Sequence, residues 1–258
     1  MSDLVLDQPL HPLLELVGIA VRPPDRPPLE PLTCAFDRAR TTLVIGIEGS
    51  GRATLGDLLT GQLVPERGVM RLDGQRVEHL PPAARLRLGI VACGPARPVM
   101  SGTLRETMLT ARLAVTRPVW SLAFGLARPV RQDREDVEEL LGFVGLEGLA
   151  ERNVATLGGI EARLADLARC LAMRPRVLIV EHGLSGLGGA DRGTVAALMQ
   201  RVAAAGPAVV AIDDDLATLG SFAHACTVLH RGRLLATGTP RSVGEDSRVF
   251  EALTGAAL

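Results

Sequence analysis

Thr41-Thr42-Leu43-Val44-Ile45-Gly46-Ile47-Glu48-Gly49-Ser50-Gly51-Arg52-Ala53-Thr54-Leu55 is the stretch on which the reading of this chain turns. Its apolar, β-branched start (residues 42–45) breaks into three spaced glycines. A segment with Leu55, Leu58 and Leu59 on one stripe follows, so the pattern predicts strand, tight turn, helix. Such a turn aims successive backbone N–H groups and a helix N-terminus at a phosphate. The full phosphate-loop pattern, G-x-x-x-x-G-K-[ST], adds a lysine for the β/γ-phosphates and a hydroxyl for Mg²⁺. Here Gly46 and Gly51 keep the spacing, but Arg52 and Ala53 follow them. The cradle is expected without its ion-handling side chains. Taken alone, a glycine-rich turn that never meets a nucleotide accounts for the stretch equally well.

The 258 residues, 47% of them hydrophobic, suffice for one large or two small domains with a sizeable core. A net charge of −1 gives no reason to expect nucleic acid or an anionic membrane surface as partner. Cys34, Cys93, Cys170 and Cys226 are widely spaced and read as small buried hydrophobes in a reducing compartment. The N-terminus has Asp3 and Asp7 and no basic run, so no secretory signal is expected. The apolar run 119–127 is far short of the roughly 20 residues needed to span a bilayer. Lysine and tyrosine are absent, so Arg52 belongs to a chain that uses arginine throughout. A guanidinium is nonetheless bulkier than an ammonium and is not an equivalent point charge in a tight cradle.

Strands are predicted over 13–21, 31–37, 69–72, 89–93, 177–180, 208–212, 227–229 and 234–237. Helices are predicted over 83–88, 103–113, 120–130, 133–144, 161–173, 192–205, 215–222 and 248–253. Strands and helices alternate on either side of one long helical stretch. That order implies an α/β fold with a mostly parallel sheet, an N-terminal antiparallel β part and an inserted α-helical subdomain. Residues 1–99 and 175–258 would form the core and 100–174 the subdomain of a single domain.

Five stations in this order resemble the ATP-binding cassette (ABC) family of transporter ATPases, over about residues 13–255. After the phosphate loop come Thr156-Leu157-Gly158-Gly159-Ile160-Glu161 and Leu167-Ala168-Arg169-Cys170-Leu171-Ala172, similar to the family's L-S-G-G-Q signature and its following helix. Val177-Leu178-Ile179-Val180-Glu181-His182 sits at the Walker B strand, and Ser185-Gly186-Leu187-Gly188 at the D-loop. Ala211-Ile212-Asp213-Asp214-Asp215-Leu216 stands where the family has its switch histidine, and the turns at Arg231-Gly232-Arg233 and Thr237-Gly238-Thr239-Pro240 also match. Residues 111–142 and the ending 248–255 look like the ATPase subunits of branched-chain amino acid importers and the related lipopolysaccharide-export ATPase. The resemblance implies ATP and Mg²⁺ at Gly46, Gly49, Ser50, Gly51, Arg52, Ala53 and Thr54, with Glu181 in the Walker B role. Leu157, Gly158 and Gly159 would face a partner cassette's γ-phosphate.

Each station also departs from the family pattern. Ala53 lacks the Mg²⁺-holding hydroxyl, Glu181 replaces an aspartate, and His182 replaces the catalytic glutamate. Cys93 or Gly94 stands where a glutamine is expected, and Asp214 brings a carboxylate to the γ-phosphate in place of the switch histidine. No aromatic residue in 22–28 offers a stacking face for adenine. The expectation is a degenerate cassette, inactive or very weak in ATP hydrolysis at its own site. It would pair as a heterodimer with an active cassette and with transmembrane permease subunits, on the cytoplasmic face of the membrane and without inserting into it. Two alternatives stand beside it: a scaffold or regulatory protein that has left transport, and a slow ATPase using His182 and Arg52. His11, His79, His224 and His230 read as surface or packing residues, residues 131–139 as a solvated helix face, and Trp120, Leu122, Phe124 and Leu126 as core or subunit contact.

Overall fold

The computed structural model describes residues 12–94 and 102–254. β1 (Leu14–Val21) pairs antiparallel with β2 (Leu29–Phe36), and β3 (Thr41–Ile45) leads through residues 46–51 into α1 (Arg52–Thr60). β4 (Arg67–Leu72) and β5 (Gln75–Arg76) complete an antiparallel sheet in the order β2-β1-β4-β5. α2 (Pro82–Arg87) and β6 (Ile90–Cys93) come next. Among the described residues four α-helices then intervene before the next strand: α3 (Leu104–Thr116), α4 (Val119–Ala123), α5 (Arg131–Val144) and α6 (Gly159–Ala172). The chain returns with β7 (Val177–Glu181), α7 (Gly189–Ala204), β8 (Ala208–Ile212) and α8 (Leu216–Leu219). It finishes with β9 (Ala225–His230), β10 (Arg233–Gly238), α9 (Pro240–Gly244) and α10 (Ser247–Thr254). The second sheet runs β10-β9-β3-β8-β7-β6, with only β10 antiparallel to its neighbour.

Apart from Thr41, Thr42 and Glu181 at their ends, the central strands β3, β7 and β8 are apolar, because the sheet is covered on both faces. Side chains alternate along each of them. Leu43, Ile45, Leu178, Val180, Val209 and Ala211 pack with α3, α5, α6 and α7. Val44, Val177, Ile179, Val210 and Ile212 pack on the opposite side with α1 and the antiparallel sheet. β3 lies between β8 and β9, so the turn after it opens at the carboxyl ends of parallel strands, where α/β sheets bind ligands. A fully buried arginine joins α1 to its surroundings. Arg85 donates to the carbonyls of Leu58, Leu59 (3.0 Å), Glu78 (2.7 Å) and Leu80 (3.0 Å), satisfying the open end of α1.

Three local expectations need correction. The helix predicted over 120–130 stops at Ala123, because Gly125 takes φ +64° and the N–H groups of Leu126 and Ala127 both turn back to the Ser121 carbonyl. Its apolar residues are not core: Trp120 is 59%, Phe124 76% and Leu126 63% exposed. Residues 131–139 are not simply a solvated face either. Asp133 is buried and accepts from Arg112 and Arg117, and Asp136 accepts from Arg112 and Arg174, so ion pairs bind α5 to α3. The helix predicted over 215–222 is the single turn α8, capped by the Asp215 carboxylate on the Thr218 N–H at 2.8 Å. His11, Met100 and Gly255, on which expectations also rested, lie outside the described residues.

Candidate nucleotide site

Between β3 and α1 the chain folds over Ser50. A side chain at Gly46 would run into Ser50 and into the Leu229 carbonyl at 2.5 Å. Gly49 and Gly51 take φ +82° and +94°, a left-handed backbone that glycine adopts without strain. At Gly51 the Pro28 carbonyl is also only 3.2 Å from where a Cβ would stand. No acidic side chain occupies the first turn of α1, and no side chain caps it. Its N–H groups and positive dipole end are therefore available to an anion.

In front of this turn lies an open hollow of about 590 Å³, bordered by Gly49, Gly51, Arg52, Ala53, His182 and Asp214. Three stations far apart in sequence thus meet at one place. Nη2 of Arg52 is 3.4 Å from Oδ2 of Asp214, while its Nη1 is buried with no hydrogen-bond partner among the described residues. Partial burial pushes the Asp214 carboxyl up, but the Arg52 guanidinium and a bond with Asp213 outweigh it and hold the group below the usual aspartate range. His182 sits at φ +50°, its N–H fixed on the Ile212 carbonyl at 2.9 Å.

The remaining candidates have other surroundings. Thr54 borders the hollow, yet it is fully buried and its hydroxyl donates to the Pro27 carbonyl at 2.7 Å. Glu181 lies under α1, where a side chain at Gly56 would strike its carboxylate. Cys93 is buried beside Cys170 and away from the hollow, and the thiol contact with burial pushes it well above the usual thiol range. Leu157, Gly158 and Gly159 lead into α6 with Gly158 and Gly159 exposed, and a Cβ on either glycine would meet nothing. One residue was missed in the sequence. Asp213 is buried and accepts from the N–H groups of Leu184 (3.2 Å) and Asp214 (2.9 Å), so it shapes the turn that presents Asp214. Its signal was its place first in a run of three aspartates, directly after an apolar strand.

Residues 29–182 match the family described as ABC transporter. The chain belongs to that family. This ABC cassette is 28% identical over 254 residues to the high-affinity branched-chain amino acid transport ATP-binding protein BraF of Pseudomonas aeruginosa, covering 96% of this chain and 99% of that one. It is 30% identical over 240 residues to the hemin import ATP-binding protein HmuV of Rhodopseudomonas palustris, covering 86% and 82%. The fold is that of a nucleotide-free ATP-binding cassette (TM-score 0.84, 20% identity, 95% and 100% covered) and of a cassette in its ADP conformation (0.85, 22%, 95% and 100%). Cassettes of this family bind ATP with Mg²⁺, dimerise and associate with permease subunits.

The residues of this cassette fit those two ligands unequally. The glycine cradle, the open N-terminus of α1 and the unpartnered Nη1 of Arg52 suit a phosphate. For Mg²⁺, Ala53 supplies no oxygen and Thr54 has committed its hydroxyl to Pro27. Among the described residues no helix is long and apolar enough to cross a membrane.

Proposed function

We propose that this cassette is a degenerate ATP-binding subunit of an ABC transporter, similar in role to those of branched-chain amino acid importers. It would pair as a heterodimer with a catalytically active cassette and with permease subunits, at the cytoplasmic face of the membrane. The Arg52–Asp214 pair across the hollow carries the reading, because the carboxylate lies where the resemblance places a γ-phosphate contact and opposes an anion there. Ala53 and His182 at the metal and base positions point the same way, since hydrolysis needs a held cation and a positioned, deprotonated water. Residues 100–174 would act as the helical subdomain of one cassette domain, with Leu157, Gly158 and Gly159 turned to the partner's nucleotide.

The test has two parts. Purified protein should show no ATP turnover above background, and turnover abolished by His182→Ala would overturn the degenerate reading. Isolation from native membranes should recover a second cassette and permease chains. Recovery of neither favours the scaffold alternative.

A further inference from the structure

Away from the hollow, three side chains that the nucleotide chemistry does not use converge at the junction of the sheet and the inserted helices. The sulfurs of Cys93 and Cys170 and a carboxylate oxygen of Asp166 all lie within 4.8 Å of one another. Cys93 ends β6, while Asp166 and Cys170 are four residues apart on α6 and so share one face of it. Both cysteines are buried, at 2% and 0% exposure. The carboxylate is held in place: Gly94 N–H donates to Asp166 Oδ2 at 3.0 Å, and Arg169 Nη2 donates to Oδ1 at 2.5 Å. The same arginine nitrogen stands 3.3 Å from the Cys170 sulfur.

We propose that Cys93, Cys170 and Asp166 bind a thiophilic divalent ion, Zn²⁺, with its fourth position left to water. Zinc–thiolate bonds of about 2.3 Å set two sulfurs of a tetrahedral site about 3.8 Å apart, so the cluster needs to contract by about 1 Å or less. Soft sulfur ligands select zinc over Mg²⁺ or Ca²⁺. Charge also balances. Without metal, two neutral thiols, one carboxylate and one guanidinium sum to zero. With metal, two thiolates, the carboxylate, the guanidinium and the dication sum to zero again, the two thiol protons leaving to solvent. Neither state buries a net charge, which is the usual obstacle to a site at this depth. Bound there, the ion ties the edge strand β6 to α6 and fixes the inserted helices on the sheet.

The full-length chain, stripped with a chelator and dialysed against micromolar Zn²⁺, should retain one equivalent by elemental analysis. Cys93→Ser and Cys170→Ser should each weaken binding at least tenfold, whereas Cys34→Ser and Cys226→Ser, on β2 and β9, should leave it unchanged. Co²⁺ added to the wild-type protein should give the thiolate-to-cobalt charge-transfer band, a readout that does not depend on any variant folding. Absence of that band overturns the proposal. So does zinc retained by a folded Cys93→Ser/Cys170→Ser double variant.

Discussion

Nη2 of Arg52 and Oδ2 of Asp214 face each other at 3.4 Å across the mouth of the phosphate cradle, the arginine side chain 13% and the aspartate 69% exposed. A cation that should meet an incoming phosphate is thereby already engaged by an anion of the same protein. Removing the carboxylate frees the guanidinium and removes a repulsion. In water-like surroundings that is about 1 kcal/mol, roughly a fivefold change. Asp214→Asn should accordingly bind ATP or inorganic phosphate about fivefold tighter in calorimetry. Unchanged or weaker affinity would show that the pair does not guard the site.

The pair should also respond to acid. Asp214 titrates below the ordinary aspartate value, so its contribution is complete above about pH 4 and lost as pH falls through the lowered value. A carboxyl-carbon titration of Asp214 by NMR should move upward in Arg52→Ala. No movement would mean that Arg52 does not hold it.

Magnesium should matter little to nucleotide binding here. Ala53 offers no ligand, and Thr54 is tied to Pro27. The affinity for ATP is expected to change less than about twofold when Mg²⁺ is removed, whereas Ala53→Thr should acquire a metal dependence of about tenfold, the scale of one charge-assisted contact. Titrations with and without chelator decide it.

Arg85 is predicted to be a main determinant of stability. It is buried at 0% exposure, and burial lowers its pKa to about 10 while four carbonyls accept from its guanidinium. Arg85→Ala strands those carbonyls, at about 1–3 kcal/mol for each one left without a partner, and should cost about 3 kcal/mol or more in urea unfolding. Arg85→Lys, with three donors and no planar fork, should recover only part of it. A loss below 1 kcal/mol for Arg85→Ala would contradict this account.

Trp120 is the one tryptophan of the chain and is 59% exposed beside Phe124 and Leu126. We propose that these exposed apolar side chains form a subunit contact. Acrylamide should quench its fluorescence readily in the isolated protein and poorly in the complex with permease subunits. Equal quenching in both would place that contact elsewhere.

The strands and the glycine turn were legible because their causes are local. A β-branched run buried on both faces, glycines at positive φ and a leucine stripe are written in neighbouring residues. Motif order over the whole chain then pointed to the family. The length of α4 was misread because its apolar pattern continues through Gly125, whose backbone ends the helix. Most of 131–139 is the solvated face its charges imply, but Asp133 and Asp136 turn inward because the arginines that draw them come mostly from α3 and its end.

The sequence by itself determined the alternation of strands and helices, the phosphate turn and the side chains missing from it, because each depends on residue type at fixed short spacing. Only the tertiary structure decided that Arg52 meets Asp214, 162 residues away, and that Cys93 meets Cys170 and Asp166. Those encounters depend on which strands lie side by side. β3 pairs with β8 and β6 with β7, and side-chain contacts over such separations follow from sheet order rather than from any local pattern.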